Sequence, residues 1–189
     1  MNTSASINMK QAVFASLFTA FMIIGVYVKV PIGPVPIVFS NMFVLLAGVI
    51  LGSRWGTISV MLYIFLGIVG LPVFSAGGGI ARLIGPTGGY IAAYIPAAFI
   101  TGYISHRKPS SKLMTFFALV SGTIVIYTLG VPWLKIVLKL SWGKALLFGM
   151  LPFLPGDIIK IFAALGITAV LKKYAPEMIN GLHKNNIDE

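Results

Sequence analysis

The chain has no cysteine, and acid is nearly absent: four Asp and Glu stand against fourteen Lys and Arg in 189 residues. Without cysteine there are no disulfides and no thiolate nucleophile or metal ligand. The two histidines, His106 and His183, fall in a basic loop and a polar tail. No HExxH pattern, carboxylate pair or Ser–His arrangement can be drawn, so an enzyme finds no support. No glycine loop carries a lysine at Walker spacing, so ATP hydrolysis has no motif. Three of the four acids, Glu177, Asp188 and Glu189, lie in the tail, which turns polar from about residue 174. The fourth, Asp157, stands in "LPFLPGDIIK" at the mouth of an apolar run, with Lys160 three positions on.

What is present is hydrocarbon. The chain is 58% hydrophobic and 10% charged, with a mean hydropathy of +0.96, whereas soluble domains carry about 25% charged residues. Lipid is the expected solvent, and the length allows about six spans of roughly 20 residues. Apolar segments run near Met9–Val28, Ile37–Leu51, Trp55–Val69, Leu83–Ser105, Leu113–Leu129 and Ile158–Leu171. The first is as long as a full span and shows no convincing cleavage site, so it is expected to be a retained helix. These segments predict an all-α integral membrane protein with a single transmembrane domain over 1–189.

An even number of spans puts both termini on one side. That side would hold Lys10, Arg54, Arg107, Lys108, Lys112, Lys172, Lys173 and Lys184, and its basic excess favours the cytoplasm. Lys29, Arg82, Lys135, Lys139 and Lys144 would lie outside. The net charge of +10 is scattered between apolar runs, which points to anionic headgroups or an anionic ligand and away from nucleic acid. Charge outside the cell has a reason if an anionic substrate arrives there.

The outer loops are rich in Gly, Pro and aromatics. "GPVPIVFSN", "GPTGGYIAAY" and "LPGDIIKIF" each place a Gly/Pro turn before an apolar segment. Three helix N-termini at one depth would present N–H groups and positive dipole ends to an anion. Trp133 to Phe148, with Lys135, Lys139 and Lys144, predicts an interfacial amphipathic helix with Trp133 and Trp142 in the aromatic belt.

Asp157 is either an N-cap paired with Lys160 or a ligand-binding carboxylate, since an ionisable group inside a membrane protein is a functional candidate by default. Asn41 both donates and accepts, which suits an amide or urea, or it joins two helices. Tyr90 and Tyr127 are packing aromatics or ligand walls. Gly88 and Gly89 permit close backbone approach. Ala12, Ser16 and Ala20 form a small-residue face on the first helix, for packing inside the bundle or across subunits.

"GLPVFSAGGGIARLIGPTGGYIAAY", Gly70 to Tyr94, and "PFLPGDIIK", Pro152 to Lys160, resemble the BioY family, the biotin-specific substrate-binding (S) components of energy-coupling-factor (ECF) transporters, over nearly the whole chain. The resemblance implies a six-helix S-component bundle in a prokaryotic plasma membrane, with cytoplasmic termini. It implies biotin as bound substrate, captured from outside under the loop between the first two helices. Its partners would be a transmembrane coupling subunit and two cytoplasmic ATPases. The Ala12/Ser16 face would dock on the coupling subunit, with Ser16 where alanine is usual. For biotin, Asp157 and Asn41 are expected at the ureido ring. Lys160 and backbone N–H near Gly88 to Tyr90 are expected at the other end, the carboxylate included, with Arg82 as the alternative. Tyr127 and Trp133 would wall the middle. The remaining readings are an S component for another small vitamin and a free-standing facilitator or channel for a small anion.

Overall fold

The computed structural model describes residues 3–31 and 34–174, and they are almost wholly helical. Helix α1 spans Thr3–Tyr27. It is followed by a short antiparallel hairpin, β1 (Lys29–Val30) and β2 (Ile37–Val38), with Lys29 opposite Val38. Then come α2 (Ser40–Ile68), α3 (Ile80–Ile84), α4 (Gly88–Arg107), α5 (Lys112–Val137), α6 (Trp142–Gly149) and α7 (Leu154–Tyr174).

Helix α2 is not a straight rod. Gly52, in the gap between the predicted segments that end at Leu51 and resume at Trp55, has φ 83° and ψ −178°, a conformation open to glycine because it lacks Cβ. The chain folds back there. A Cβ placed on Gly56 would lie 2.9 Å from the Ala47 carbonyl oxygen. Ser40 and Tyr63 line the same cavity, although 23 residues of straight helix would separate them by roughly 34 Å. The reversal thus keeps apart the two apolar segments that the sequence separates at this point.

Helix α4 is the centre of the bundle. Gly48 of α2 sits against the Ala98 carbonyl oxygen, 2.6 Å from where a Cβ would stand, and Gly102 sits against the backbone of Gly52 and Ser53. Ala93, Ala97 and Ala98 are fully buried. Small residues let helix backbones approach where apolar burial provides no drive in lipid. Buried hydroxyls add cross-links, from Thr19 of α1 to the Ser59 carbonyl at 2.8 Å and from Thr101 of α4 to the Ala118 carbonyl at 3.3 Å.

Among the described residues four helices are long and apolar enough to cross a membrane: Met9–Tyr27, Ser40–Ile68, Lys112–Val137 and Leu154–Tyr174. Helix α4 falls outside that set because Gly, Pro, Tyr, Thr and Ser lower its hydropathy. Large apolar side chains such as Ile24, Phe65, Phe117 and Phe162 point outward around the bundle, the surface that a bilayer covers.

Several element boundaries differ from the sequence expectation. The amphipathic helix Trp133–Phe148 does not form. Helix α5 continues to Val137, past Leu129, and Lys139 at φ 51° ends it, with the Leu140 N–H returned to the Lys135 carbonyl at 3.0 Å. Ser141 then starts α6, its hydroxyl accepting from the Lys144 N–H at 3.4 Å. The segment predicted from Leu83 is divided by Gly85–Thr87 into α3 and α4, and α7 starts at Leu154, ahead of Ile158. The polar tail, with Glu177, His183, Lys184, Asp188 and Glu189, lies outside the described residues.

Gly102→Ala is expected to lower the thermal unfolding midpoint in detergent, by an overpacking cost of about 1–3 kcal/mol, because the new methyl meets backbone. Gly166→Ala on α7, where a Cβ meets nothing within 4 Å, should leave the midpoint unchanged or raise it. Equal midpoints for the two variants would remove the close α2–α4 approach as a determinant of the fold.

Candidate binding site

One end of the bundle carries the hairpin, α3, the 85–87 turn and α6. These are tied by Tyr27 to the Pro72 carbonyl, Lys29 to the Ser75 carbonyl, Trp133 to the Gly85 carbonyl and Tyr90 to the Gly149 carbonyl. Beneath them lies a cavity of about 60 Å³, on a scale where one water needs roughly 10–15 Å³. The N-termini of α2, α4 and α7 all border it, through Ser40, Thr87 and Phe153.

Its polar corner begins on α7. The Asp157 N–H donates to the Phe153 carbonyl at 2.8 Å, so Asp157 is already inside the helix and does not cap it. The N-cap reading of Asp157 therefore falls. Asp157 and Lys160 are one turn apart on one face, 5% and 6% exposed, with Nζ 3.1 Å from Oδ1. Asn41, the second residue of α2, donates Nδ2–H to Asp157 Oδ1 at 3.0 Å and accepts from Lys160 Nζ at 3.0 Å. Lys160 also donates to the Val38 carbonyl of β2 at 2.8 Å. The Tyr127 hydroxyl of α5 donates to Asp157 Oδ2.

A census of donors and acceptors shows what this corner has left. An ammonium has three donors, and those of Lys160 are matched by Val38, Asn41 and Asp157. A carboxylate has about four acceptor sites, and Asp157 uses three, for Asn41, Lys160 and Tyr127. Within the described contacts, one acceptor remains on Asp157 Oδ2 and one N–H on Asn41 Nδ2. An adjacent acceptor and donor match an –NH–CO– edge, as in an amide or cyclic urea.

The remaining wall is aromatic. The hydroxyls of Tyr63 and Tyr90 donate to the Val73 and Gly149 carbonyls, at 3.0 and 2.8 Å. Their polar tips are thereby engaged with backbone, and the rings serve as apolar wall. Tyr63 packs edge-on against Phe74 with centroids 5.5 Å apart. Tyr94 lies 3.4 Å from the Ser40 hydroxyl. Phe153 and Ile126 complete the apolar lining, and Ser75, Thr87 and Thr123 add hydroxyls.

Asp157, Lys160, Asn41, Tyr90 and Tyr127 thus share one cavity. The other expected site residues do not line it. Trp133 donates Nε1–H to the Gly85 carbonyl at 2.9 Å and wedges its Cβ against Gly89, so Gly89 makes room for a tryptophan instead of a ligand. Gly88 packs against the Leu83 carbonyl. The Gly88 and Tyr90 N–H groups already donate to the Gly85 and Thr87 carbonyls, so they are not free for a carboxylate. Arg82 lies on exposed α3 with its guanidinium beside Gly77. Lys160 and Asp157 are in direct contact, on the same side of the cavity. Ala12, Ser16 and Ala20 are exposed on α1, away from the cavity.

Sequence reasoning missed Tyr94, Tyr63 and Ser40. Tyr94 stands one helical turn after Tyr90 and was findable from that spacing. Ser40 adjoins Asn41. Tyr63 reaches the cavity through the reversal at Gly52: the sequence marks a break there but not where the second arm packs.

The sequence pattern of the BioY family matches residues 1–177. The chain is 38% identical over 170 residues to the biotin transporter BioY of Thermotoga maritima, covering 89% of this chain and 99% of that one. It is 37% identical over 178 residues to the biotin transporter BioY of Rhizobium etli, covering 87% and 95%. The fold matches the crystal structure of the S-component for biotin from an ECF-type ABC transporter with a TM-score of 0.83, at 31% identity, over 93% of this chain and 96% of that one.

Removing one member of the buried pair strands the other charge, at a cost of about 3–5 kcal/mol, whereas apolar replacement of both is often neutral. Asp157→Leu and Lys160→Met should each lower the unfolding midpoint, and the double variant should recover much of the loss. Additive losses in a double-mutant cycle would show that the two side chains are energetically independent.

Proposed function

The chain belongs to the BioY family, and we propose that it captures biotin as the substrate-specificity subunit of an ECF importer. It is a multi-pass membrane protein of a transporter family, not an enzyme. The observation that carries the substrate reading is the pairing of the leftover acceptor on Asp157 with the leftover donor on Asn41. Biotin's ureido ring offers an N–H beside a carbonyl, so it would satisfy both, and Lys160 and Tyr127 hold the two groups in place. The bicycle and the valerate chain would lie against Tyr63, Tyr90, Tyr94 and Phe153. An analogue without the ureido donor would leave a buried acceptor unpaired, the strongest source of small-molecule selectivity.

The carboxylate end we assign to Arg82, with Thr87 beside it at the start of α4. Lys160 has no donor to spare, and Arg82 is the cation of the segment joining the cavity wall at Ser75 and Thr87.

The chain would cross the membrane six times, counting the two arms of α2 separately, with both termini in the cytoplasm of a prokaryotic cell. The basic end formed by the Gly52 reversal, the 105–112 loop and the end of α7 supports that orientation. A transmembrane coupling subunit and two ATPases would supply the energy. The exposed Ala12, Ser16 and Ala20 face of α1 would dock on the coupling subunit; the Ser16 hydroxyl is turned back to the Ala12 carbonyl at 3.0 Å, which keeps the face flat.

Titration of the detergent-purified chain, followed by tryptophan fluorescence, tests the substrate. Biotin should bind tightly, riboflavin and thiamine should not, and Asp157→Asn should weaken biotin by about 100-fold or more, the scale of breaking a buried charged hydrogen bond. Tight binding unchanged in Asp157→Asn would remove Asp157 from the site. Biotin amide, which lacks the carboxylate, separates the two ends. Arg82→Ala should weaken biotin and leave the amide unaffected, whereas Lys160→Ala should weaken both; an Arg82→Ala variant that binds biotin normally would overturn the carboxylate assignment.

Ala12→Trp and Ala20→Trp should leave the biotin titration intact and abolish ATP-driven uptake in cells that carry the coupling module. Uptake at the parental rate would mean that this face meets lipid alone.

A further inference from the structure

The opposite end of the molecule holds a second concavity that the biotin reading does not use. It is a crevice of about 410 Å³ between the first turn of α5 and the last three turns of α7. Lys112 enters it from α5, and Lys172 and Lys173 from α7, with Ser110 and Thr115 between them. Among the described residues the sole carboxylate is Asp157, fifteen residues back along α7, or about 22 Å away. The crevice therefore has three cations and no described acid.

Lysines in the last turn of a helix ordinarily complement its negative end, and that accounts for Lys172 and Lys173. It does not account for Lys112, which stands in the first turn of α5, where a cation faces the positive end of a 26-residue helix. An anion at that point reconciles both. Lys172 is held in position by the Pro109 carbonyl at 2.5 Å and the Thr115 hydroxyl at 3.4 Å, which leaves one of its three donors for a ligand.

The crevice continues as hydrocarbon. Leu165, Ala169 and Val170 line it from the same helix as Lys172 and Lys173, and the Phe116 and Phe162 rings of α5 and α7 pack with centroids 6.5 Å apart. Helix α7 is the least buried of the four long apolar helices, and Val170 in this wall is exposed. A soluble phosphate would match the lysines and leave the apolar wall uncovered. A phosphodiester with acyl chains matches both parts.

We propose that this crevice binds an anionic phospholipid, its phosphate held by Lys112, Lys172 and Lys173 and one acyl chain laid along Leu165 and Val170. The bound lipid fills the gap where α7 leans on α5. The proposal rests on the bilayer setting and not on the biotin assignment, so a biotin titration of the same samples reports that reading separately.

The test is native mass spectrometry of the full chain in detergent, with palmitoyl-oleoyl phosphatidylglycerol or the matching phosphatidylcholine added at equal ratio. Retention of phosphatidylglycerol should exceed that of phosphatidylcholine by about tenfold, since each lysine near an anionic headgroup adds to the attraction. Lys112→Gln/Lys172→Gln/Lys173→Gln should bring the two lipids to parity. Lys112→Gln/Lys173→Gln, which keeps the Lys172 contacts to Pro109 and Thr115, should lose most of the preference while remaining monodisperse. Lys135→Gln/Lys139→Gln/Lys144→Gln at the other end should keep it. Equal retention of both lipids by the parent chain, or an undiminished preference in the triple variant, would overturn the proposal. Displacement of the lipid by glycerol phosphate at equal concentration would make this a free-phosphate site and also overturn it. Retention that emerges only when Glu177, Asp188 and Glu189 are neutralised would assign the crevice to the chain's own tail instead.

Discussion

A buried carboxylate in a protein dissolved in lipid has to be matched on the spot, because neither bilayer nor bulk water can solvate it. Asp157 is matched by three elements at once: Asn41 of α2, Tyr127 of α5 and Lys160 of its own helix. Lys160 in turn reaches the backbone of β2 at Val38. One cluster thereby joins two neighbouring helices and the hairpin to α7, a helix that otherwise shows much of its surface outward. The loop above the cavity and the helix below it are registered by the same ammonium group.

The same cluster sets the chemistry of the cavity. A saturated ammonium is a scaffold, holding the carboxylate in place. The unsaturated positions, one on Asp157 and one on Asn41, are the ones we propose the ligand meets. Aromatic rings with their hydroxyls bonded to backbone supply apolar wall beside that single polar edge. In that proposal selectivity comes from an unpaired acceptor, and affinity from the rings. This combination fits a small bicyclic urea carried on an aliphatic acid.

The bundle around the cavity is held by close approach more than by bulk. Gly48, Gly56 and Gly102 let α2 reverse at Gly52 and lie against α4, and α4 in turn carries Tyr90 and Tyr94 into the cavity. The two ends of the molecule are chemically distinct. One is a roof of Gly, Pro and aromatic segments over an engaged ion pair. The other is a lysine-rich rim with no described acid, suited to a headgroup layer.

The apolar segments, the break at Gly52 and the isolation of Asp157 and Lys160 were legible in the sequence, because solvent and backbone constraints act locally. A run of hydrocarbon long enough to cross a bilayer, a glycine among polar residues, and one acid among 58% hydrophobic residues each carry their meaning without neighbours. The motifs also pointed to the family. The partners of those residues were not legible. Whether Trp133 walls the cavity or seats on Gly89 depends on how α5 crosses α4. Whether Lys160 meets a ligand's far end or saturates itself on Val38 and Asn41 depends on where α2 begins relative to α7. The amphipathic pattern from Trp133 to Phe148 predicts one helix, and the chain breaks it where Lys139 is left-handed, a choice that the pattern does not encode. Sequence determined which groups needed pairing in lipid; only the tertiary structure decided which donors and acceptors remained unpaired, because that count depends on contacts between residues as far apart as Asn41 and Asp157.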